Sequence, residues 1–206
     1  MILFAKAPVP GRVKTRLAAE IGAGTAAALY TAFVADTLAK LQELKGFADI
    51  EIHTDIPTDA WSDTRVTRAL QAAGDLQLKL LHALTGALSG GRPQAMILGS
   101  DSPTLPSVYI RKLLDSAADV ALGPCSDGGY YAIACRKTHS DMFAGVQWST
   151  ANVLEQTERA ARACGLTVER GHLWYDVDGP EDLARLMAEA DLPFETARVL
   201  RALRTK

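Results

Sequence analysis

Asp101 stands between two serines in Gly99-Ser100-Asp101-Ser102-Pro103, directly after the apolar run Ala95-Met96-Ile97-Leu98. A short apolar run bounded by turn residues reads as a buried strand. A carboxylate just beyond the carboxyl end of such a strand lies where open α/β sheets bind ligands. It is a hard oxygen donor, suited to Mg2+ or Mn2+, ions that complete their coordination with water and substrate phosphates. The plainer use is a helix start, because Ser and Asp are preferred N-caps and a helix is expected soon afterwards. At Asp101 the sequence leaves both uses open.

Cations gather in a second loop, behind the opening apolar run of residues 1–4. Lys6, Arg12, Lys14 and Arg16 fall within residues 5–16, interspersed with Pro8, Pro10 and Gly11. The prolines restrict the backbone and Gly11 permits a tight turn. Arg12, Lys14 and Arg16 alternate, so an extended backbone sends all three to one side. That fork suits a pyrophosphate, gripped bidentately by guanidinium groups with the ammonium as a point charge. Neither the GxxxxGK[ST] phosphate loop nor the GxGxxG dinucleotide fingerprint is present. The plainer reading is a solvated basic loop.

Two later clusters carry similar alternatives. In Ser126-Asp127-Gly128-Gly129-Tyr130, Asp-Gly between strand-like runs signals a hairpin turn. The glycines equally allow bare backbone to approach a ligand that Asp127 or Tyr130 touches. Asp176 and Asp178 stand at i and i+2 and share a face of an extended backbone, where both could add oxygens to a cation. Asp178 could instead cap the helix opened by Pro180 or close an Asx-turn. Glu181 and Asp182 suit the first turn of that helix electrostatically and are left outside the site. Trp148 and Ser149 precede a helix whose N-terminus could receive an acceptor phosphate or sugar. Asp75 reads first as an N-cap. Cys125 has no histidine nearby and reads as a bystander thiol, and the four histidines show no metal-ligand spacing.

The elements that must position these residues alternate along the chain. Strands are expected at residues 1–4, 50–53, 95–98, 120–122, 130–134 and 166–168. Helices are expected at 24–44, from Asp75 onward, and at 108–117, 150–164, 180–190 and 194–203. The helical spacing of Leu29, Phe33, Val34, Leu38 and Leu41, and the four-residue recurrence of Leu76, Leu80, Leu84 and Leu88, support the first two helices. Strand-like runs alternating with helical patterns predict an α/β fold, a mostly parallel sheet with helices on both faces. At 206 residues this is read as one domain spanning 1–206.

A net charge of −2 argues against a general nucleic-acid binder. No segment reaches the roughly 20 apolar residues of a membrane span. Three widely spaced cysteines suggest neither a disulfide framework nor a zinc site, and a reducing cytoplasm is the expected compartment. The oligomeric state is not legible.

The ordered motifs FAKAPVPGRVKTRL, GDL, GSDSPTLP, GPCSDGGYYAIA, FAGVQWSTANVLEQT and DVDGPEDLARL resemble a family of small bacterial glycosyltransferase-like proteins. That family is often left as a domain of unknown function, with some members linked to arsenosugar biosynthesis. Its fold is of the glycosyltransferase A, or nucleotide-diphospho-sugar transferase, type. Molybdenum-cofactor nucleotidyltransferases and 2-phospho-lactate guanylyltransferase look like more distant relatives. Gln77, Lys79 and Gly179 depart from the residues usual at their positions. The resemblance implies a nucleotide-bound donor held on a divalent cation, with Asp101 the main metal carboxylate and Asp176 and Asp178 further ligands. It places Ala5, Lys6, Gly11, Arg12, Lys14, Arg16, Asp75 and Ser100 along the nucleotide and its phosphates. Ser126, Asp127, Gly128, Gly129, Tyr130, Trp148 and Ser149 would line the acceptor side, and Asp101, Asp127 and Asp178 would be catalytic. The expected activity is metal-dependent glycosyl transfer from a nucleotide-diphospho-sugar to a small-molecule acceptor. Two alternatives are nucleotidyl transfer from a nucleoside triphosphate to a phosphorylated acceptor, with pyrophosphate released, and a non-catalytic nucleotide-binding module.

Overall fold

The computed structural model describes every residue except Lys45, Phe47, Thr205 and Lys206. In chain order the elements are β1 (Ile2–Ala5), α1 (Thr15–Ile21), α2 (Ala23–Glu43), β2 (Glu51–Thr54), β3 (Thr67–Leu70), α3 (Leu76–Ser89) and β4 (Ala95–Leu98). They continue with α4 (Ser107–Leu114), β5 (Val120–Pro124), β6 (Tyr130–Cys135), α5 (Val153–Ala163), β7 (Val168–Arg170), α6 (Pro180–Met187) and α7 (Phe194–Arg204). The strands are ordered β3-β2-β1-β4-β6-β5-β7, and the fold is α/β with a mostly parallel sheet, as expected. Two compact units are distinguishable. An N-terminal unit comprises Leu3–Leu70, Ser100–Leu105 and Asp176–Lys206; a central unit comprises Met1–Ile2, Gln71–Gly99 and Pro106–Tyr175.

In the N-terminal unit, β2 and β3 pair in parallel from Glu51 opposite Thr67 to Thr54 opposite Leu70. Helix α2 follows the predicted stripe, with Leu29, Phe33, Val34, Leu38 and Leu41 fully buried. Its one deeply placed acid, Asp36, receives the Glu195 amide at 3.0 Å, the Thr196 amide at 2.8 Å and the Thr196 hydroxyl at 2.6 Å. Those amides open α7 and have no partner within their own helix, so Asp36 docks α7 as a cap supplied from elsewhere in the chain. Two elements were not expected. Helix α1 buries only Leu17, and β3 is largely exposed, so neither shows a period along the sequence. Gly22, at φ 80°, turns the chain between α1 and α2 in a region that favours glycine.

In the central unit, β6 runs antiparallel to both β4 and β5, while β5 and β7 are parallel. Strands β4 and β5 are buried along their whole length, which explains their unbroken apolar sequences. The β5–β6 connection is the hairpin that Asp127-Gly128 signals. Helix α5 ends at Ala163 in a Schellman motif: the Leu166 amide reaches the Ala161 carbonyl at 3.1 Å, and the Gly165 amide the Arg162 carbonyl at 3.0 Å. Leu166 is therefore consumed by the helix stop, and the strand expected at 166–168 begins only at Val168. Helix α5 itself starts at Val153 rather than Thr150. Among the described residues no helix is long and apolar enough to cross a membrane.

Candidate functional site

Residues 6–14 leave β1 as a loop held by side chains from elsewhere in the N-terminal unit. The Lys6 amide donates to the Tyr30 hydroxyl at 2.8 Å, and the Ala7 amide to Asp55 Oδ1 at 2.7 Å. Gly11, at φ 80°, supplies the tight turn, and Lys14 is itself left-handed at φ 47° as the residue capping α1. The chain is thus turned, not extended, through the basic segment, and Arg16 already lies on a helix. This corrects the expected fork. Arg12 leans toward Asp55 at 3.8 Å and is well exposed. Lys14 and Arg16 instead meet the 176–182 segment. The Arg16 guanidinium packs so closely on Gly179 that a Cβ there would lie 3.1 Å from Nη2. Ala5 is buried in β1, and the Lys6 side chain is exposed.

Lys14 is the centre of the arrangement. Its side chain is only 4% exposed, yet its ammonium pairs with Asp101 Oδ1 and, at 2.7 Å, with Asp178 Oδ1. Those carboxylates remain 38% and 47% exposed. The rings of Tyr30 and Phe33 lie 5.9 Å and 6.0 Å from the ammonium. Burial pulls the Lys14 pKa down, but Asp101 and Asp178 outweigh it and hold the amine above its ordinary range. Tyr30 shares a 2.9 Å hydrogen bond with Ser100 Oγ. Burial first, and the Asp101 charge second, push its phenol up to about 12, so it stays protonated.

Carbonyls around Asp101 receive donors from elsewhere in the N-terminal unit. The Val177 amide donates to the Asp101 carbonyl at 2.8 Å. Lys40 Nζ donates to the Pro103 carbonyl at 2.9 Å and to that of Leu105. Burial brings the Lys40 pKa down to about 8. Helix α4 begins only at Ser107, with Pro106 as the capping residue, so neither Asp101 nor Ser102 acts as an N-cap. Asp178 is likewise spared: Asp182 accepts the Asp178 amide at 3.0 Å and the Gly179 amide at 2.8 Å, and Pro180 opens α6. Asp176 Oδ1 takes the Ser102 hydroxyl.

Two carboxylates from distant segments converge on the one Lys14 ammonium. Hard carboxylate oxygens are the donor type that divalent ions such as Mg2+ take. Asp178 of the expected i, i+2 pair meets Lys14 together with Asp101 from a distant segment, while Asp176 meets Ser102. Sequence reasoning missed Tyr30 and Lys40. Tyr30, Phe33, Thr37 and Lys40 recur at helical spacing, so a Lys continuing an otherwise buried stripe was the readable signal.

In the central unit, Asp127 turns back to accept the Gly129 amide at 2.9 Å. Gly128 has φ 88°, and a Cβ on it would lie 1.9 Å from the Ala151 carbonyl oxygen, while its own carbonyl accepts the Leu154 amide at 2.9 Å. The Ser126 amide donates to the Trp174 carbonyl at 3.0 Å. The Tyr130 hydroxyl is buried, and burial pushes its pKa up. Trp148 packs on Phe143 at a centroid distance of 5.9 Å, and Ser149 is left-handed at φ 63°. Asp75 caps α3, accepting the Leu78 amide at 2.9 Å.

Comparison with known proteins now places the chain. The family described as "uncharacterized protein conserved in bacteria (DUF2064)" matches residues 29–150, more than half of the sequence. The chain belongs to this family. A crystal structure of a protein from Desulfovibrio desulfuricans G20, provisionally named a nucleotide-diphospho-sugar transferase, is similar at 33% identity and a TM-score of 0.88. That likeness covers 99% of this chain and 96% of the other. The 2-phospho-L-lactate guanylyltransferase of Haloarcula marismortui is 30% identical over 95 residues, 46% of this chain. The match spans only 45% of that curated relative's length. The inositol-1-phosphate CTP transferase from T. maritima, at 13% identity and a TM-score of 0.55 over 96% of this chain and 94% of the other, shares the fold. The resemblance carried by the motif order is therefore correct at the level of family and fold. The fold is of the kind used by nucleotidyl and nucleotide-sugar transferases.

Proposed function

We propose that this DUF2064 protein transfers a glycosyl group from a nucleotide-diphospho-sugar to a small-molecule acceptor, assisted by Mg2+ or Mn2+ held by Asp101 and Asp178. The convergence of these two carboxylates on the Lys14 ammonium carries the reading, because it is a hard-ligand pair beside a basic loop. The whole-chain likeness to the Desulfovibrio protein supports a sugar-nucleotide donor. When bound, the cation would neutralise charge developing on the departing nucleoside diphosphate. Arg12 and Lys6, both exposed, and Lys14 are the chain's own groups for the phosphates, where fixed cations stabilise the leaving oxyanion. Ser100 and Tyr30 orient the Asp101 loop through their shared hydrogen bond.

The guanylyltransferase likeness favours one second reading, nucleotidyl transfer from a nucleoside triphosphate. The two are separated by product. Incubation with a panel of nucleotide-sugars and Mn2+ is expected to release a nucleoside diphosphate. Pyrophosphate released from triphosphates would favour the second reading. A thermal-shift panel of the same ligands, with and without Mn2+, selects the donor beforehand, since ligands of the native state raise its apparent stability.

A further inference from the structure

Burial and exposure at Lys14 are distributed in an unusual way. The cation is inside, at 4% exposure, under aromatic rings, while both of its carboxylate partners reach solvent. A divalent ion arriving from solvent meets two carboxylates whose Oδ1 atoms are already engaged by a positive charge behind them. Adding the ion without moving Lys14 sets like charges a few ångströms apart. Moving Lys14 without providing another anion leaves a buried ammonium unpaired among apolar rings, which is strongly unfavourable. Neither route is open to the metal alone. A phosphate group changes this, because the Lys stem is flexible and its ammonium is a mobile point charge with three donors.

We propose that Lys14 is a built-in counter-cation that closes the Asp101–Asp178 pair to metal until nucleotide phosphates draw the ammonium away. Metal and nucleotide binding are then coupled through one side chain, and by linkage each strengthens the other. This rests on the assignment of Asp101 and Asp178 as metal ligands. It differs from simple completion of the metal's coordination by phosphate oxygens. In that simpler case the Lys14 ammonium keeps its place between the carboxylates when nucleotide and metal bind together.

The test is Mn2+ binding to nucleotide-free protein, followed by electron paramagnetic resonance of the free ion, in wild type, Lys14→Met, Lys14→Gln and Asp101→Asn. The expected result is tighter Mn2+ binding in both Lys14 variants, by about tenfold or more, with the gain abolished when Asp101→Asn is added. Unchanged or weaker binding in the Lys14 variants, with loss in Asp101→Asn, overturns the counter-cation role and leaves the metal assignment standing. Mn2+ binding that Asp101→Asn does not alter overturns the metal assignment, and this inference with it. A measurement on the wild-type chain does not depend on the variants folding. The NMR signal of the Lys14 side-chain amine should hold its position when Mg2+ is added alone and move when a nucleoside diphosphate and Mg2+ are added together. A shift of that signal with Mg2+ alone rejects the inference.

Discussion

Asp101 and Asp127 sit in similar small-residue loops and end in opposite circumstances. Asp127 turns one carboxylate oxygen to its own loop, accepting the Gly129 amide two residues on. The Asp101 carboxylate faces the Lys14 ammonium, while carbonyls of its loop are met by the Val177 amide and by Lys40. Short polar side chains commonly close their own loops in this way. A loop aspartate is free for chemistry when other groups take over that task. The same division recurs at α6, where Asp182 caps the helix and Asp178 does not.

The sharpest way to break the contrast is to neutralise each aspartate without changing its shape. Asp101→Asn should abolish Mn2+-dependent thermal stabilisation by nucleotides and lower kcat/KM by about 100-fold or more. Asp127→Asn keeps an acceptor for the Gly129 amide and should retain Mn2+-dependent stabilisation. The reverse pattern in a thermal-shift assay would invert the comparison.

The Asp127 loop and the basic loop after β1 should also differ in tolerance of a methyl group. Gly128→Ala places Cβ on the Ala151 carbonyl oxygen in a left-handed conformation, at a cost of about 3 kcal/mol or more. For a chain of this size that is a fall in Tm of roughly 6–12 °C. Gly11→Ala shares the positive φ but meets nothing within 4 Å, so about 1 kcal/mol is expected. Equal losses by calorimetry would show that the hairpin glycine is needed for its dihedral angle alone.

Lys40 offers a pH test of the Asp101 loop. Its folded pKa, about 8, lies below the ordinary 10.5. Between those values the unfolded chain binds more protons than the native one, so this group makes stability rise with pH across that window. Relative to Lys40→Met, wild type should gain about 1–2 kcal/mol in urea unfolding between pH 7.5 and 10. A flat difference would mean that the ammonium is better paired than its two carbonyl contacts indicate.

The smallest effect is expected at Asp182. Asp182→Ala removes the acceptor for two amides at the start of α6, costing about 1 kcal/mol. Asp178 directly precedes the Gly179 amide in sequence, and a several-fold weaker Mn2+ site in a binding titration would show that it had turned away from Lys14 to replace Asp182. Unchanged Mn2+ binding would show that Asp178 is held by Lys14 alone.

Much of the fold was legible because its signals are local. Apolar runs marked β4 and β5, a helical stripe marked α2, Asp-Gly marked the β5–β6 hairpin, and Asp75 marked the start of α3. The order of six motifs was enough for the family. Helix α1 and strand β3 escaped because each is short and mostly exposed, which leaves no periodicity to read. The site was legible as a set of residue types but not as a set of partners. Lys14 and Asp178 are 164 positions apart, and the apparent pair Asp176 and Asp178 divides between Ser102 and Lys14. A local pattern determines which groups can donate and accept. Only the tertiary structure decides which of them are already used, because each buried polar group takes the partner that chain packing brings within reach.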